Sequence, residues 1–425
     1  MSVLNAIQVR RRFLVLLGLR WFPVGLLIPI TVLLALQRGL TVAEVGAAAA
    51  VQGITVMLLE LPTGGLSDAL GRRPVLVLAG VVSLGSLGLL AVAHSVVAYV
   101  AYYLLRGIFR ALDSGPLEAW YVDHALAADP DADIEGGLSR SGVVLGVAVA
   151  AGALASGGIV AVSPPGGWGP VSALTMPVLV ALLVEVGALV ALLLLMTEVR
   201  PGRGVAALVA SVRQVPSAIG GALRLVRQSR VIAALILVEL FWGFGMAAFE
   251  TLTPVRLTDL IGDADRSAAL MGPAGSAAWA ASAGGAALVP LLYRRIGAPW
   301  AGFALRIVQG LTVAGMGLAG GAAGLITAFL LCYVVHGAAN PVHVGLLHRQ
   351  VEGPFRASLL SLNSMVSQPG SALGLVALTA IAAATDTGVA MLVGAVVLAV
   401  AAPLYLVALT RRDQEVTAVH GGVSA

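Results

Sequence analysis

The sequence contains no lysine, and all 25 of its basic residues are arginine. A nucleotide-binding loop of the form G-x-x-x-x-G-K-S/T needs a lysine to reach the phosphates, so the absence of lysine excludes that motif. Transport powered through such a loop is therefore excluded. The arginine bias itself indicates genomic base composition rather than mechanism.

Cysteine and charged residues are also scarce. The single cysteine, Cys332, lies in an apolar run, so an intrachain disulfide framework is excluded. Charged residues make up 11% of the chain and hydrophobic residues 59%, with a mean hydropathy of +0.98. This composition excludes an ordinary soluble domain. No basic face with interleaved aromatic residues is present, so no nucleic-acid partner is expected.

Long apolar runs dominate what remains. Windows of about 20 apolar residues, the length that crosses a bilayer as a helix, recur twelve times. The first run follows three arginines at 10–12 but is too long for a signal peptide and lacks a cleavage site, so we expect a retained first helix. The predicted spans are 13–36, 42–62, 75–95, 97–123, 141–162, 174–197, 231–255, 267–292, 299–319, 322–346, 357–384 and 387–410.

The distribution of arginine among the connecting segments predicts the topology, because short cytoplasmic loops carry the excess positive charge. With the N-terminus inside, the arginines that fall in outer segments are Arg38, Arg256 and Arg266. We therefore expect both termini in the cytoplasm, an even number of spans and a location in the cytoplasmic membrane. Four more arginines lie within predicted spans, namely Arg20, Arg106, Arg110 and Arg306.

A short charged turn between the second and third runs is the most specific motif. Residues 60–74 read ELPTGGLSDALGRRP, which fits the pattern G-x-L-x-D-x-x-G-R-R. The pattern resembles the loop between the second and third helices of major facilitator superfamily transporters, where glycines permit a tight turn. Ala69 departs from it, because the family usually carries a base there. The resemblance implies a cytoplasmic gate formed by Gly64, Asp68, Gly71, Arg72 and Arg73.

The same resemblance implies the fold class: an all-α membrane protein with twelve transmembrane helices in two six-helix pseudo-symmetric bundles. We expect an N-terminal bundle at 1–197, a cytoplasmic linker with an amphipathic helix at 198–230, and a C-terminal bundle at 231–425. The linker alternatively serves only as an anchor on lipid headgroups. A degenerate echo of the charged turn, ending at Gly297, lies between the eighth and ninth spans. A glycine-rich run at 142–158 is similar to that of drug:proton antiporters but lacks their proline.

Ionisable residues inside the spans of the first half are candidates for proton coupling, because a charge at the bilayer centre costs about 2.5–3.5 kcal/mol on insertion scales. Arg106, Arg110 and Asp113 share one helix face, and Arg106 lies where the resembled family often has an arginine linked to proton movement. Internal pairing that only packs the helix is the alternative. Arg20 is deep enough to need an ion pair, for which Glu60 or an acid on the fourth helix is expected.

Two acids near the end of the fourth span, Glu118 and Asp123, are expected to pair with Arg72, Arg73 or Arg356. Such pairs serve either as a gate at the inner mouth or as plain surface ion pairs. The sequence leaves both uses open.

The second half offers a polar lining for a substrate cavity. Glu239 is the deeper acid of the seventh helix and is expected to be its easier group to protonate. Glu250 lies near the outer end and alternatively is simply solvated, and the polar residues of helices ten and eleven alternatively only bond between helices. A metal site is not expected, because the two histidines lie two turns apart with no third ligand. The candidate cavity residues besides Glu239 are Trp242, Met246, Glu250, His336, Asn340, His343, Asn363, Ser364 and Gln368.

These features predict a monomeric secondary transporter whose partners are a small-molecule substrate, protons and the lipid bilayer. The preferred function is proton-coupled export of a small amphiphilic compound by alternating access, and the alternative is proton-coupled uptake of a nutrient or metabolite. An enzyme is not expected, since no nucleophile, metal cluster or cofactor motif stands out, and no cofactor is expected. A membrane sensor stays open as a further alternative, although the chain has no appended signalling domain.

Overall fold

The computed structural model of the protein describes residues 4–164, 167–197, 220, 224, 226–351 and 355–409, without the side chains at 61, 64, 65, 68 and 355–358. The predicted linker helix at 198–230 therefore lies outside the described residues except at 220, 224 and 226–230. The described chain is almost entirely helical, and an isolated bridge joins Trp168 to Val171.

The chain divides into two compact units by its internal contacts. Unit 1 holds the described residues up to 197 and those at 261–279, and unit 2 holds those at 220–260 and 280–409. The first half of one helix from the C-terminal part of the chain, at 264–279, is thus grouped with unit 1.

Eight helices lie among the described residues at 4–197. Polar N-caps begin several of them: the side chains of Asn5 and Thr41 each accept a hydrogen bond from the third residue of their helix and complete a capping box. The helices are α1 (Ala6–Leu27), α2 (Thr31–Gln37), α3 (Val42–Leu70), α4 (Arg72–Val92), α5 (Val96–Asp113), α6 (Pro116–Ala128), α7 (Ile134–Val162) and α8 (Met176–Leu195).

Eight further α-helices and a terminal 3-10 helix, Ala402–Ala408, follow residue 229. They are α9 (Arg230–Glu250), α10 (Leu252–Ile261), α11 (Ala264–Ala287), α12 (Val289–Ile296), α13 (Ala298–Leu318), α14 (Ala322–His348), α15 (Phe355–Ala384) and α16 (Thr387–Val400). Their core is apolar, with contacts among α9, α13, α14 and the 3-10 helix burying residues such as Leu235, Ala301 and Leu347.

Eleven helical stretches of the described chain are long and apolar enough to cross a membrane. The fourth predicted span lies on α5 and α6 and is not among these eleven, and three charged residues on α5 set it apart from them. The prediction of one continuous helix over 97–123 is wrong, because the chain turns at Gly115 and α6 begins at Pro116. Proline is favoured at the first position of a helix, where its missing N–H has no intrahelical partner to lose.

Two equivalent turns support the predicted internal repeat. Gly71 separates α3 from α4 with φ 93° and ψ 160°, and Gly297 separates α12 from α13 with φ 76° and ψ 164°. A residue with a Cβ adopts such a positive φ only with strain. The second-half turn at Gly297 lacks the acid and the first glycine of the motif at 60–74. It nevertheless retains the same backbone conformation.

Two of the three arginines assigned to outer segments occupy equivalent positions in the repeat. The Arg38 guanidinium donates to the carbonyl oxygens of Ala91 and Ala93 at the end of α4, at 2.8 and 2.9 Å. Arg256 donates to the carbonyl oxygens of Gly317 and Ala319 at the end of α13, at 3.2 and 3.1 Å. The last carbonyls of a helix lack intrahelical donors, so each arginine satisfies a helix C-terminus.

We expect Arg38→Gln to lower the free energy of unfolding by about 1.5–3 kcal/mol, the usual worth of a hydrogen bond to a charged group. Thermal unfolding of the purified protein in detergent measures the loss. Arg266→Gln is the matched control, because the Arg266 side chain is exposed. Equal melting temperatures for the two variants would contradict this role of Arg38.

Candidate functional site

The charged turn ties the start of α4 to other helices of unit 1. Arg72 Nη1 lies 2.6 Å from Asp123 Oδ2 and donates to the carbonyl oxygen of Ala119 at 2.6 Å. Arg73 donates to the carbonyl oxygen of Leu193 at 2.7 Å. The predicted pairing of Asp123 with the arginines of the turn is confirmed for Arg72.

The other members of the motif are placed by their backbone. Gly64 and Asp68 lie in the last turns of α3, and Gly71 forms the turn described above. The side chains of Asp68 and Arg356 lie outside the described part of the chain. Glu118 is exposed in the first turn of α6.

A buried ion pair joins α1 to α5 in unit 1. Arg20 Nε lies 2.7 Å from Asp113 Oδ1, and the two side chains are 14% and 19% exposed. The Arg20 guanidinium carbon also lies 3.8 Å from the centroid of the Phe109 ring. An ion pair with an aromatic face beneath the cation stabilises both charges away from water. The expectation that Arg20 pairs with an acid of the fourth span is confirmed.

Arg106, Arg110 and Asp113 all lie on α5, and internal pairing among them stays a prediction. The ion pair shown for Asp113 runs to α1, while the Arg110 side chain is exposed. Arg106 instead lies 4.8 Å from the Phe109 ring centroid. Glu60 is half-buried on α3.

A small cavity of about 40 Å³ adjoins the Arg20–Asp113 pair and is also lined by Phe109 and Glu185. Glu185 is 3% exposed on α8. One water occupies about 30 Å³ of liquid, so this space admits about one water and no organic substrate.

Unit 2 contains a larger cavity of about 170 Å³, which we name the unit-2 cavity. It brings together the predicted faces of the seventh and tenth spans, which lie on α9 and α14. An arginine of α13 adds a third wall. The lining residues are Glu239, Trp242, Arg306, His336, Ala339, Asn340 and His343.

A chain of polar contacts runs through one wall of the unit-2 cavity. His343 Nε2 lies 3.5 Å from Glu239 Oε2 and 3.0 Å from Asn363 Oδ1. His343 Nδ1 lies 3.0 Å from the hydroxyl of Tyr405. Since an amide oxygen only accepts, the neutral ring carries its proton on Nε2 and accepts from Tyr405 at Nδ1. Glu239 is 12% exposed at the end of this chain.

Aromatic rings form the neighbouring wall. Trp242 and His336 stack with centroids 5.7 Å apart and planes 16° apart. Tyr333 packs against His336 and donates through its hydroxyl to Glu250 Oε1 at 3.1 Å. Glu250 is exposed, yet it is fixed by this bond rather than only solvated.

Arg306 is the site residue that the sequence argument missed. It is 3% exposed on α13, and its Nη1 donates to Gln309 Oε1 at 2.7 Å. Within the described residues it makes no ion pair, and its Nε has no hydrogen-bond partner. The sequence did contain a signal for it, because Arg306 is the arginine predicted to lie within a membrane span of the second half.

Several predicted cavity residues are not among those that line the unit-2 cavity. Asn363 is buried and reaches it through His343. Met246 on α9 and Ser364 and Gln368 on α15 are half-buried. The Ser364 carbonyl accepts a hydrogen bond from the Ser367 hydroxyl at 2.8 Å within α15. A substrate role for these three stays a prediction.

Comparison with known proteins identifies the family. The family model of the Major Facilitator Superfamily matches residues 13–342. A search of curated protein sequences finds no match. The chain belongs to the Major Facilitator Superfamily and is a multi-pass membrane transporter that works by alternating access.

Solved structures of the same fold cover nearly the whole chain. The nucleoside transporter NupG is 13% identical with a TM-score of 0.75, covering 94% of this chain and 99% of its own. A bacterial homolog of the human lysosomal transporter Spinster is 14% identical with a TM-score of 0.76, covering 95% and 96%. A mutant of the peptide transporter POT is 15% identical with a TM-score of 0.71, covering 96% and 99%. These likenesses show the all-α, twelve-helix fold.

Proposed function

We propose that this chain is a proton-coupled exporter of a small amphiphilic compound. The observation that carries the proposal is Glu239, a carboxylate facing the unit-2 cavity beside a buried arginine and a stacked aromatic pair. A carboxylate in such a place exchanges a proton when its access to water or its charged neighbours change. The rings of Trp242 and His336 supply an apolar surface for the substrate.

The two buried carboxylates have different roles in this proposal. Asp113 is held by Arg20 at ion-pair distance and serves as a fixed structural charge. Glu239 has Arg306 within electrostatic reach but makes its close contact with His343. Glu239 is therefore the group that takes up and releases the proton.

Proton-coupled export and uptake differ in whether the substrate moves against the proton or with it. The glycine-rich run at 142–158 supports export, because it is similar to that of drug:proton antiporters. Uptake is the second candidate, and the neighbours NupG and POT, named for nucleosides and peptides, support a small organic substrate for either direction. The chain acts as a monomer in the cytoplasmic membrane with both termini inside.

Proteoliposomes carrying an imposed pH gradient of either sense, screened with a compound library, test this function. A proton-coupled exporter moves its substrate against the proton flow and responds to the sign of the gradient. Transport that ignores both gradients would contradict the proposal.

Asp68 and the arginines of the turn are proposed to bias the equilibrium between the two states of the transporter, because charge pairs made in only one state favour that state. We expect Asp68→Asn to cut the transport rate several-fold and shift the population toward the inward-open state, while expression stays normal. Cysteine-accessibility labelling reports the shift. If transport and labelling were unchanged in the variant, the charged turn would have no role in the gate.

A further inference from the structure

The unit-2 cavity holds two opposite charges that do not pair with each other. Arg306 and Glu239 both line it, and each is mostly buried. They are close enough to interact electrostatically, yet the described ion pairs do not include one between them. The close partners given above are uncharged, Gln309 for Arg306 and the neutral ring of His343 for Glu239. A buried charge without an oppositely charged partner is costly, so two such charges facing one space point to a ligand with complementary charges.

The Arg306 guanidinium is fixed and incompletely bonded. Gln309, less than one helical turn away, holds Nη1 at 2.7 Å. The Nε atom is buried without an acceptor, although the residue is 3% exposed and lines the cavity. A carboxylate matches the planar donor fork of arginine in two parallel hydrogen bonds. This end of the cavity therefore suits an anionic group.

The remaining lining suits a cation and a flat ring. Glu239 accepts an ammonium group, and the stacked rings of Trp242 and His336 offer a face for an aromatic substituent. The volume equals that of roughly five or six waters in the liquid, at about 30 Å³ each. The cavity reaches exposed Asn340, where a longer ligand extends beyond it.

We propose that the unit-2 cavity binds a small aromatic zwitterion, with its carboxylate on Arg306, its ammonium group on Glu239 and its ring against Trp242. The binding geometry stands alone, while its link to transport rests on the proposed function. The ammonium group takes the place of the proton on Glu239, and that proton leaves to solvent. Binding and protonation therefore compete at one carboxylate, as export against a proton gradient requires.

Three compounds that differ by one charged group test the binding site on the wild-type protein. Phenylalanine carries both charges, 3-phenylpropionate lacks the amine, and phenethylamine lacks the carboxylate. Isothermal titration of purified protein in detergent at neutral pH gives each affinity. We expect phenylalanine to bind at least tenfold more tightly than either analogue, since each analogue leaves one buried charge unmatched. Equal affinities, or tighter binding of either analogue, would overturn the proposal.

Variants assign the two ends of the ligand. We expect Glu239→Gln to weaken phenylalanine and phenethylamine at least tenfold and to spare 3-phenylpropionate. Arg306→Lys, which keeps the charge but not the planar fork, weakens phenylalanine and 3-phenylpropionate and spares phenethylamine. Arg266→Gln, at an exposed arginine, changes none of the three. A uniform loss across all three ligands in both cavity variants would show a structural role only and overturn the assignment.

Proton release separates this inference from the proposed function. Titrations of phenylalanine in buffers of different ionisation enthalpy measure protons released on binding, and Glu239→Gln should abolish the release. If phenylalanine fails to bind while another compound is transported with Glu239-dependent proton coupling, the zwitterion site is wrong and the function stands. If the ligand ranking holds and no compound shows proton-driven transport, the site stands and the function is wrong.

Discussion

Glu239→Gln is expected to abolish the stimulation of transport by a proton gradient. The amide cannot take up or release a proton, yet it retains the size and much of the hydrogen bonding of the acid beside His343 and Asn363. Binding without a gradient persists for a neutral substrate and weakens for a positively charged one. Transport by reconstituted protein, measured with and without the gradient, gives the ratio that should fall to about one.

Glu135→Gln is the matched control for this loss, because Glu135 is an exposed acid in the first turn of α7. Its transport should keep the full response to the gradient. A normal response in Glu239→Gln would show that another carboxylate carries the proton, and Glu60 and Glu185 would be tested next.

Asp113→Asn is expected to impair both stability and transport. Removing one member of a buried ion pair typically costs about 3–5 kcal/mol, because the remaining charge is left uncompensated. Here the remaining charge is Arg20, which sits on the Phe109 ring with little access to water. Melting temperature in detergent and the initial transport rate report the two effects.

The double variant Arg20→Gln/Asp113→Asn separates charge imbalance from a specific need for the acid. Because both charges are removed, we expect it to recover most of the melting temperature lost in Asp113→Asn. A double variant no more stable than the single would contradict the buried ion pair as the cause.

The helices were predictable because hydrocarbon demands long apolar stretches with internally satisfied backbones, and little else in the chain is as apolar. The interruption at Thr251 that separates α9 from α10, inside a run predicted as one span, was not predictable. Apart from Glu239 and Glu250 the run is apolar up to that point, and composition does not mark the end of one helix and the start of the next. Gly115 followed by Pro116 is a stronger turn signal, because glycine takes the positive φ and proline begins the next helix.

The partners of the buried charged residues were also only partly predictable from the sequence. The need of Arg20 for an acid followed from its depth, and the structure supplies Asp113. Arg306 was noted within a span but not joined to Glu239, because the two lie on helices far apart in sequence. Only the three-dimensional packing of α9, α13 and α14 places both at one cavity.

The most direct test of the central claim, that substrate movement is coupled to protons, is luminal pH in proteoliposomes that contain a transported compound. With no pH gradient imposed, substrate leaving the vesicles down its own gradient should draw protons inward and acidify the lumen. Glu239→Gln vesicles should show no such acidification. Substrate efflux from wild-type vesicles at constant luminal pH would contradict the account.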